Sequence, residues 1–239
     1  MATHNRIAAL ILGVSIAIGL ALGGKFLADA AIAHKLLERT VTVKGLSQQE
    51  YPADIVIWPI KFTTANNNLA KLYQDVDAKA QLINQFLLDG GVEQSEISLA
   101  PPAINDKSAH QYGGGQRPEF RYTASQTVTV YSKNISQVRD MMSGLSQLGK
   151  KGIVFATEDY DARVDYLFTR LNEVKPDMIE EATNKARETA LKFASDSQST
   201  LGKIKRASQG QFSISNRDKN NPHIKRVRVV STVEYYLAD

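Results

Sequence analysis

Eighteen consecutive residues, Ile7 to Gly24, carry no charge and are built from Ile, Leu, Val, Ala and Gly around one hydroxyl, Ser15. As a helix they span about 27 Å, close to the hydrocarbon thickness of a bilayer. A buried helix of a water-soluble domain keeps a polar stripe, and this segment has none. Arg6 and the free amine precede it and Lys25 follows, so it reads as an export signal or a signal-anchor that enters with its N-terminus in the cytoplasm. Lys25, Lys35 and Arg39 on the far side reduce the charge bias. Ala28-Asp29-Ala30 and Ala31-Ile32-Ala33 both have the small-x-small form that a signal peptidase accepts. The run is longer than an ordinary signal core, however, and Lys25 to Glu38 continues as plausible helix, which favours a retained anchor. Gly19 and Gly23 make a GxxxG pair, a pattern that also arises by chance in Gly/Ala-rich helices. The expected division is 1–37 for the membrane and juxtamembrane helix and 38–239 for one domain.

With 239 residues the chain has ample length for a core. Cysteine is absent, which excludes thiol nucleophiles, disulfides and thiolate metal sites. The net charge of +4 is unevenly placed. From Leu201 to the C-terminus eight basic residues face three acidic ones, a balance of +5, whereas residues 1–200 balance near −1. A basic tail of this kind attracts anionic lipid or polymer, and most such stretches are solvated strand faces.

Beyond Thr40 the pattern alternates strands and helices. Thr40 to Leu46 and Ala53 to Thr63 read as strands. In the second, Val56, Trp58, Ile60 and Phe62 share one face, and Ile55 and Ile57 on the other need a cover, from a helix of the same chain or from another subunit. Pro59 suggests an edge or a bulge. Leu69 to Leu88 is an amphipathic helix stopped by Gly90-Gly91. A strand is expected near Glu96 to Ile104, a loop over Asn105 to Pro118 around Gly113-Gly114-Gly115, and a strand from Arg121 to Ser132. Asn134 and Gln137 have capping spacing for a short helix to Leu148. Strand-like stretches follow at Ile153 to Phe155 and Arg163 to Leu171. A long helix then starts with Pro176 in its first turn, and strands at Lys203 to Ile214 and Ile224 to Leu237 close the chain. The order is approximately ββαββα-βαββ, an α+β fold of antiparallel sheet with amphipathic helices packed on it, preceded by one transmembrane helix.

Chemistry-bearing patterns are sparse. His4, His34, His110 and His223 are scattered, without metal-ligand spacing. Glu158, Asp159, Asp161 and Asp165 are the densest acidic group, but they lack EF-hand order and read as a solvated turn. The glycine triplet is followed by no Lys-Ser/Thr and opens no helix, so it is no P-loop. No nucleophile–base–orienter set stands out, and no catalytic residue, metal or cofactor is expected. Arg226 and Arg228 share a strand face and are a possible anion-binding pair, with Lys225 on the other face.

Several stretches are familiar as an ordered set: Thr40-Val41-Thr42-Val43-Lys44-Gly45-Leu46, the strand Ala53 to Ile60, Lys175-Pro176-Asp177-Met178-Ile179, Ala207-Ser208-Gln209-Gly210, and Val227 to Leu237. From about residue 38 to the C-terminus the chain resembles the SIMPL-domain (DUF541) family, in particular a bacterial branch with an N-terminal membrane segment. The resemblance implies an exported, envelope-associated α+β protein that tends to form homo-oligomers and is linked loosely to oxidative and envelope stress. The family has no established catalytic residues to carry over. Lys44, Gly45, Lys175, Pro176, Gln209 and Gly210 match its pattern with no assigned role, and turn or cap geometry is the expected one. The reading is a single-pass inner-membrane protein facing the periplasm, non-enzymatic, self-assembling and not binding nucleic acid. The alternative is a soluble periplasmic module that binds an anionic ligand or polymer through its basic C-terminal strands.

Overall fold

The computed structural model describes residues 2–36, 39–109, 119–156 and 160–238. An N-terminal helix, α1 (Ala2–Leu36), runs unbroken past the predicted apolar segment. The rest is mixed α and β with antiparallel sheets, as expected, and divides into two compact units. The first unit gathers residues 1–48, 176–212 and 228–239, and the second gathers 49–175 and 213–227.

The second unit is built on β2 (Ile55–Asn66), which pairs along its whole length with β5 (Tyr122–Ser132). Their alternation separates two faces. Val56, Trp58, Ile60 and Phe62 with Ala124, Val128 and Val130 are buried. Against them pack Leu72, Val76, Ala80, Ile83 and Leu87 of α2 (Leu69–Asp89), whose apolar residues recur at helical spacing. Asn68 caps this helix by accepting from the Lys71 amide, and Gly91 ends it at φ +86°. Val138 and Met141 of α3 (Ile135–Ser143) and Leu148 of α4 (Ser146–Lys150) complete the core. The predicted Asn134–Gln137 cap is present, but the helix is two short pieces broken at Gly144-Leu145.

Where one strand was expected over Glu96 to Ile104 there are two, β3 (Ile97–Leu99) and β4 (Ala103–Asp106), both paired with β5. Pro101 and Pro102 between them have no amide to donate. Across the break Leu99 pairs with Val128 and Ala103 with Ser125, so the β3–β4 side holds one extra residue. The buried Gln126 side chain fills the gap by donating to the Ala100 carbonyl at 2.8 Å.

The other edge of β2 pairs with β6 (Val154–Phe155) and β7 (Asp165–Leu167). The strand expected from Arg163 to Leu171 is therefore only three residues, and Leu171 already begins the next helix. Pro59 lies between the stretches paired with β7 and β6. The Lys61 carbonyl accepts from the Ala156 amide, so by alternation the missing Pro59 donor faces that unpaired gap. Ile55 is buried within the single chain and Ile57 partly so.

The sheet of the first unit has the order β1–β10–β8, from β1 (Thr40–Pro52), β8 (Thr200–Gln209) and β10 (Ile224–Ala238). The predicted strand Lys203 to Ile214 is interrupted. A separate strand, β9 (Ser213–Asn216), pairs with β10, and just beyond it the Arg217 amide donates to the Ile224 carbonyl. Helix α5 (Leu171–Asp196) lays Met178, Ala182, Ala186, Ala190 and Ala194 toward the sheet at every fourth residue. Ala186 and Ala190 pack with Val43, Val233 and Tyr235. Phe193, although apolar and next to Ala194, is mostly exposed. Pro176 sits inside α5 rather than in its first turn, because the helix starts five residues earlier.

Candidate functional site

The β2–β5 face turned away from α2 carries Ile57, Pro59, Lys61, Thr63 and Ala65 opposite Tyr131, Thr129, Thr127, Ser125 and Thr123. No apolar row closes it, and its side chains stay partly accessible. At the Thr63–Ser125 end, β4, β6 and the Phe120 side chain wall a groove of about 760 Å³. That volume is ordinary for a small-molecule cleft. Hydroxyls from Thr63, Thr64, Thr123 and Ser125 line it, with the Asn105 carboxamide and the ammonium groups of Lys79 and Lys107. Among the described residues no carboxylate lines it. Lys79 Nζ donates to Thr64 Oγ1 at 2.9 Å, and since Thr64 alternates onto the α2 side, the groove is lined from both faces of the sheet end. The neighbouring carboxylate, Asp106, is occupied by Arg121, with Nη2–Oδ2 at 2.9 Å and Nε–Oδ1 at 3.2 Å. Those bonds from Arg121, helped by the Ser108 hydroxyl, hold its carboxyl well below the usual carboxylate range.

A second polar cluster lies elsewhere in the same unit. Arg139 Nη1 is 3.2 Å from His223 Nε2. A guanidinium only donates, so Nε2 accepts and the ring is neutral there. Burial lowers the His223 pKa and the nearby Arg139 charge adds to it. Burial likewise raises that of Tyr166, whose ring meets the imidazole edge-on at 6.0 Å. Lys225 is 6% exposed, donates to Asn216 Oδ1, and has its pKa lowered by burial.

The family-pattern residues have individual placements. Gly45 is in no turn: it lies mid-strand in β1, and a Cβ there would come within 1.8 Å of the Ala182 carbonyl oxygen and 2.5 Å of the Ala186 nitrogen. Its role is to let α5 approach the strand, correcting the expected turn or cap geometry. Lys44 beside it is exposed. Gln209 ends β8, and the Gly210 amide donates to the Val230 carbonyl at 2.8 Å, where a Cβ would crowd that same oxygen. Lys175 is half-buried and, like Pro176, belongs to α5, so both are helical rather than turn residues.

Arg226 and Arg228 divide between the units. Arg226 donates to the Arg217 carbonyl and lies 3.9 Å from Glu50. Arg228 is exposed, as are Lys203, Lys205 and Arg206 of β8. Lys205 pairs with Glu234 at 3.4 Å and sits over the Tyr236 ring. The Glu234 pKa is lowered by the Thr40 hydroxyl and by Lys205.

Sequence reasoning missed the groove. Its signal was the uninterrupted Thr/Ser alternation of β5, which reads equally as a solvated face. His110, Gly113 to Gly115, Glu158 and Asp159 lie outside the described residues, as do the side chains of His4 and His34. Among the described residues no group of three or more His, Asp or Glu is placed to hold a metal. Within α1, Leu12–Ala31 is long and apolar enough to cross a membrane and is wholly exposed, compatible with an anchor or a signal sequence. A family model described as SIMPL, a protein of unknown function (DUF541), matches residues 41–233. No curated protein matches the chain.

Proposed function

The chain belongs to the SIMPL family (DUF541), and we propose that it is a membrane-tethered, non-enzymatic binding and assembly module whose domain faces the periplasm from the inner membrane. The observation that carries this reading is α1 itself. It stays helical through both small-x-small sites, Ala28-Asp29-Ala30 and Ala31-Ile32-Ala33. A peptidase reads its substrate as an extended segment, so an unbroken helix there supports a retained anchor. Arg6 ahead of the apolar run supports an N-in orientation. A binding role is supported by the groove, whose polar groups are hydroxyls, an amide and ammoniums rather than a base paired with a nucleophile.

Self-assembly is supported by the terminal places of β1 and β8 in their sheet. Over its ten residues β8 is exposed almost throughout, an edge that another chain can extend. A role in envelope or oxidative-stress tolerance rests on the family resemblance. The second reading, a cleaved soluble module that binds anions through the C-terminal strands, is favoured by the exposed cations of β8 and Arg228. The intact mass of the mature protein, with a cytoplasm-only reporter fused after Asp239, tests the tether. The expected outcome is a full-length mass and a silent reporter. Loss of about 30 residues, where signal cleavage falls, would transfer support to the soluble module, and an active reporter would reverse the topology.

A further inference from the structure

We infer that the groove at the β2–β4–β5 end of the second unit is a binding site for an anionic saccharide, a hydroxylated ligand bearing a carboxylate or a phosphate. The inference rests on what lines the groove. Thr63, Thr123, Ser125 and Asn105 line it, and none of their side chains has a hydrogen-bond partner among the described residues. Thr63 stands directly opposite Ser125, and Asn105 directly opposite Thr123. Such groups are spaced about 5 Å across strands and about 7 Å along them, the scale of one pyranose ring. Each hydroxyl both donates and accepts, which matches the dual character of sugar hydroxyls. Phe120, 39% exposed, supplies a flat apolar wall for the C–H face of a ring.

Charge selects the anion. Among the described residues two ammoniums line the groove and no carboxylate does. Asp106, between the lining residues Asn105 and Lys107, is already paired with Arg121. Lys79 gives one donor to Thr64 and keeps two. The exposed Lys107 side chain has no partner among the described residues. A cation of this kind held beside hydroxyls makes charge-assisted hydrogen bonds to carboxylate or phosphate oxygens, roughly twice as strong as neutral ones.

Calorimetry on the full chain in detergent tests the site with three probes: trigalacturonate, glucose 6-phosphate and neutral maltotriose. At least one anionic probe is expected to bind about tenfold or more tightly than maltotriose, and the Lys79→Met/Lys107→Met double variant to lose about that factor. Whichever anion wins assigns carboxylate or phosphate as the recognised group. Lys107→Met alone disturbs no internal bond, so its loss of affinity reads binding even where the Lys79 change perturbs folding. Equal affinity for neutral and anionic probes, absence of binding to either anion, or undiminished affinity in Lys107→Met would each overturn the site. None of these outcomes bears on whether the chain is membrane-tethered.

Discussion

His223 accepts at Nε2 from Arg139 and donates nothing there, so protonation breaks a bond and places a second cation beside a first. The groups acting on it electrostatically are Arg139, Arg217 and Asp218, and burial is the largest cause of its lowered pKa. The unfolded chain therefore takes up the proton first. As pH falls through 6.5 toward the folded value, unfolding is increasingly favoured, and stability returns as pH rises through the same window. Asp218, lowered to about 2 by Arg217 and Asn221, acts in the same direction only at more acid pH. The urea midpoint is expected to be lower at mildly acid pH than at neutral pH, and His223→Gln to flatten that difference. An unchanged slope in the variant would place the sensitivity elsewhere. The backbone role of His223, accepting from the Ala53 amide at 2.8 Å, survives the substitution.

Helix α5 lies close to β1 because both surfaces are small: alanines at every fourth position meet a glycine. Gly45→Ala forces a Cβ into the Ala182 carbonyl, and backbone cannot rotate away as a side-chain tip can. The expected cost is about 3 kcal/mol from overpacking, read as a lower urea midpoint at constant m. Gly149→Ala in α4 is the control. Nothing lies within 4 Å of its added methyl, and a helix interior favours alanine by about 0.5–1 kcal/mol. Equal effects at the two sites would refute the close approach. The same pair of elements explains what the sequence yielded and what it withheld. Helix α2 was legible because Leu72, Val76, Ala80, Ile83 and Leu87 repeat with the helix, and β5 because its alternation is clean. The continuation of β1 to Pro52 was hidden because Ser47, polar in sequence, is fully buried and donates to Glu181 Oε2 at 2.6 Å. Gly45 read as a turn residue because its reason lies more than 130 residues away in α5. The β3–β4 split was visible as Pro101-Pro102, yet the Gln126 contact that makes it tolerable joins residues 26 apart. The groove is hidden for the same reason, since its polar groups come from β2, α2, β4 and β5 and share no local pattern.

At the scale of the whole molecule, the first unit draws on three separated stretches and the second on two, an arrangement that no linear scan for linkers reveals. With Ile55 buried in its own chain, the self-assembly proposed above would have to use other surfaces. The free β1 and β8 edges are the expected place, and the full chain in detergent is expected to sediment as more than a monomer at micromolar concentration. A proline at Ala207, mid-strand in β8, should then lower the mass of the complex; a monomeric wild type would remove self-assembly from the proposed function. The burial of Trp58 has an optical consequence. It is the sole tryptophan of the chain, and at 4% exposure it sits in the core of the second unit. The first unit holds tyrosines, with no indole of its own. Indole emission shifts to the red when water reaches the ring, so a denaturation followed by that colour records the second unit, whereas far-ultraviolet dichroism also records α1 and α5. Where the two curves part, the gap between them measures the first unit without any label having been added.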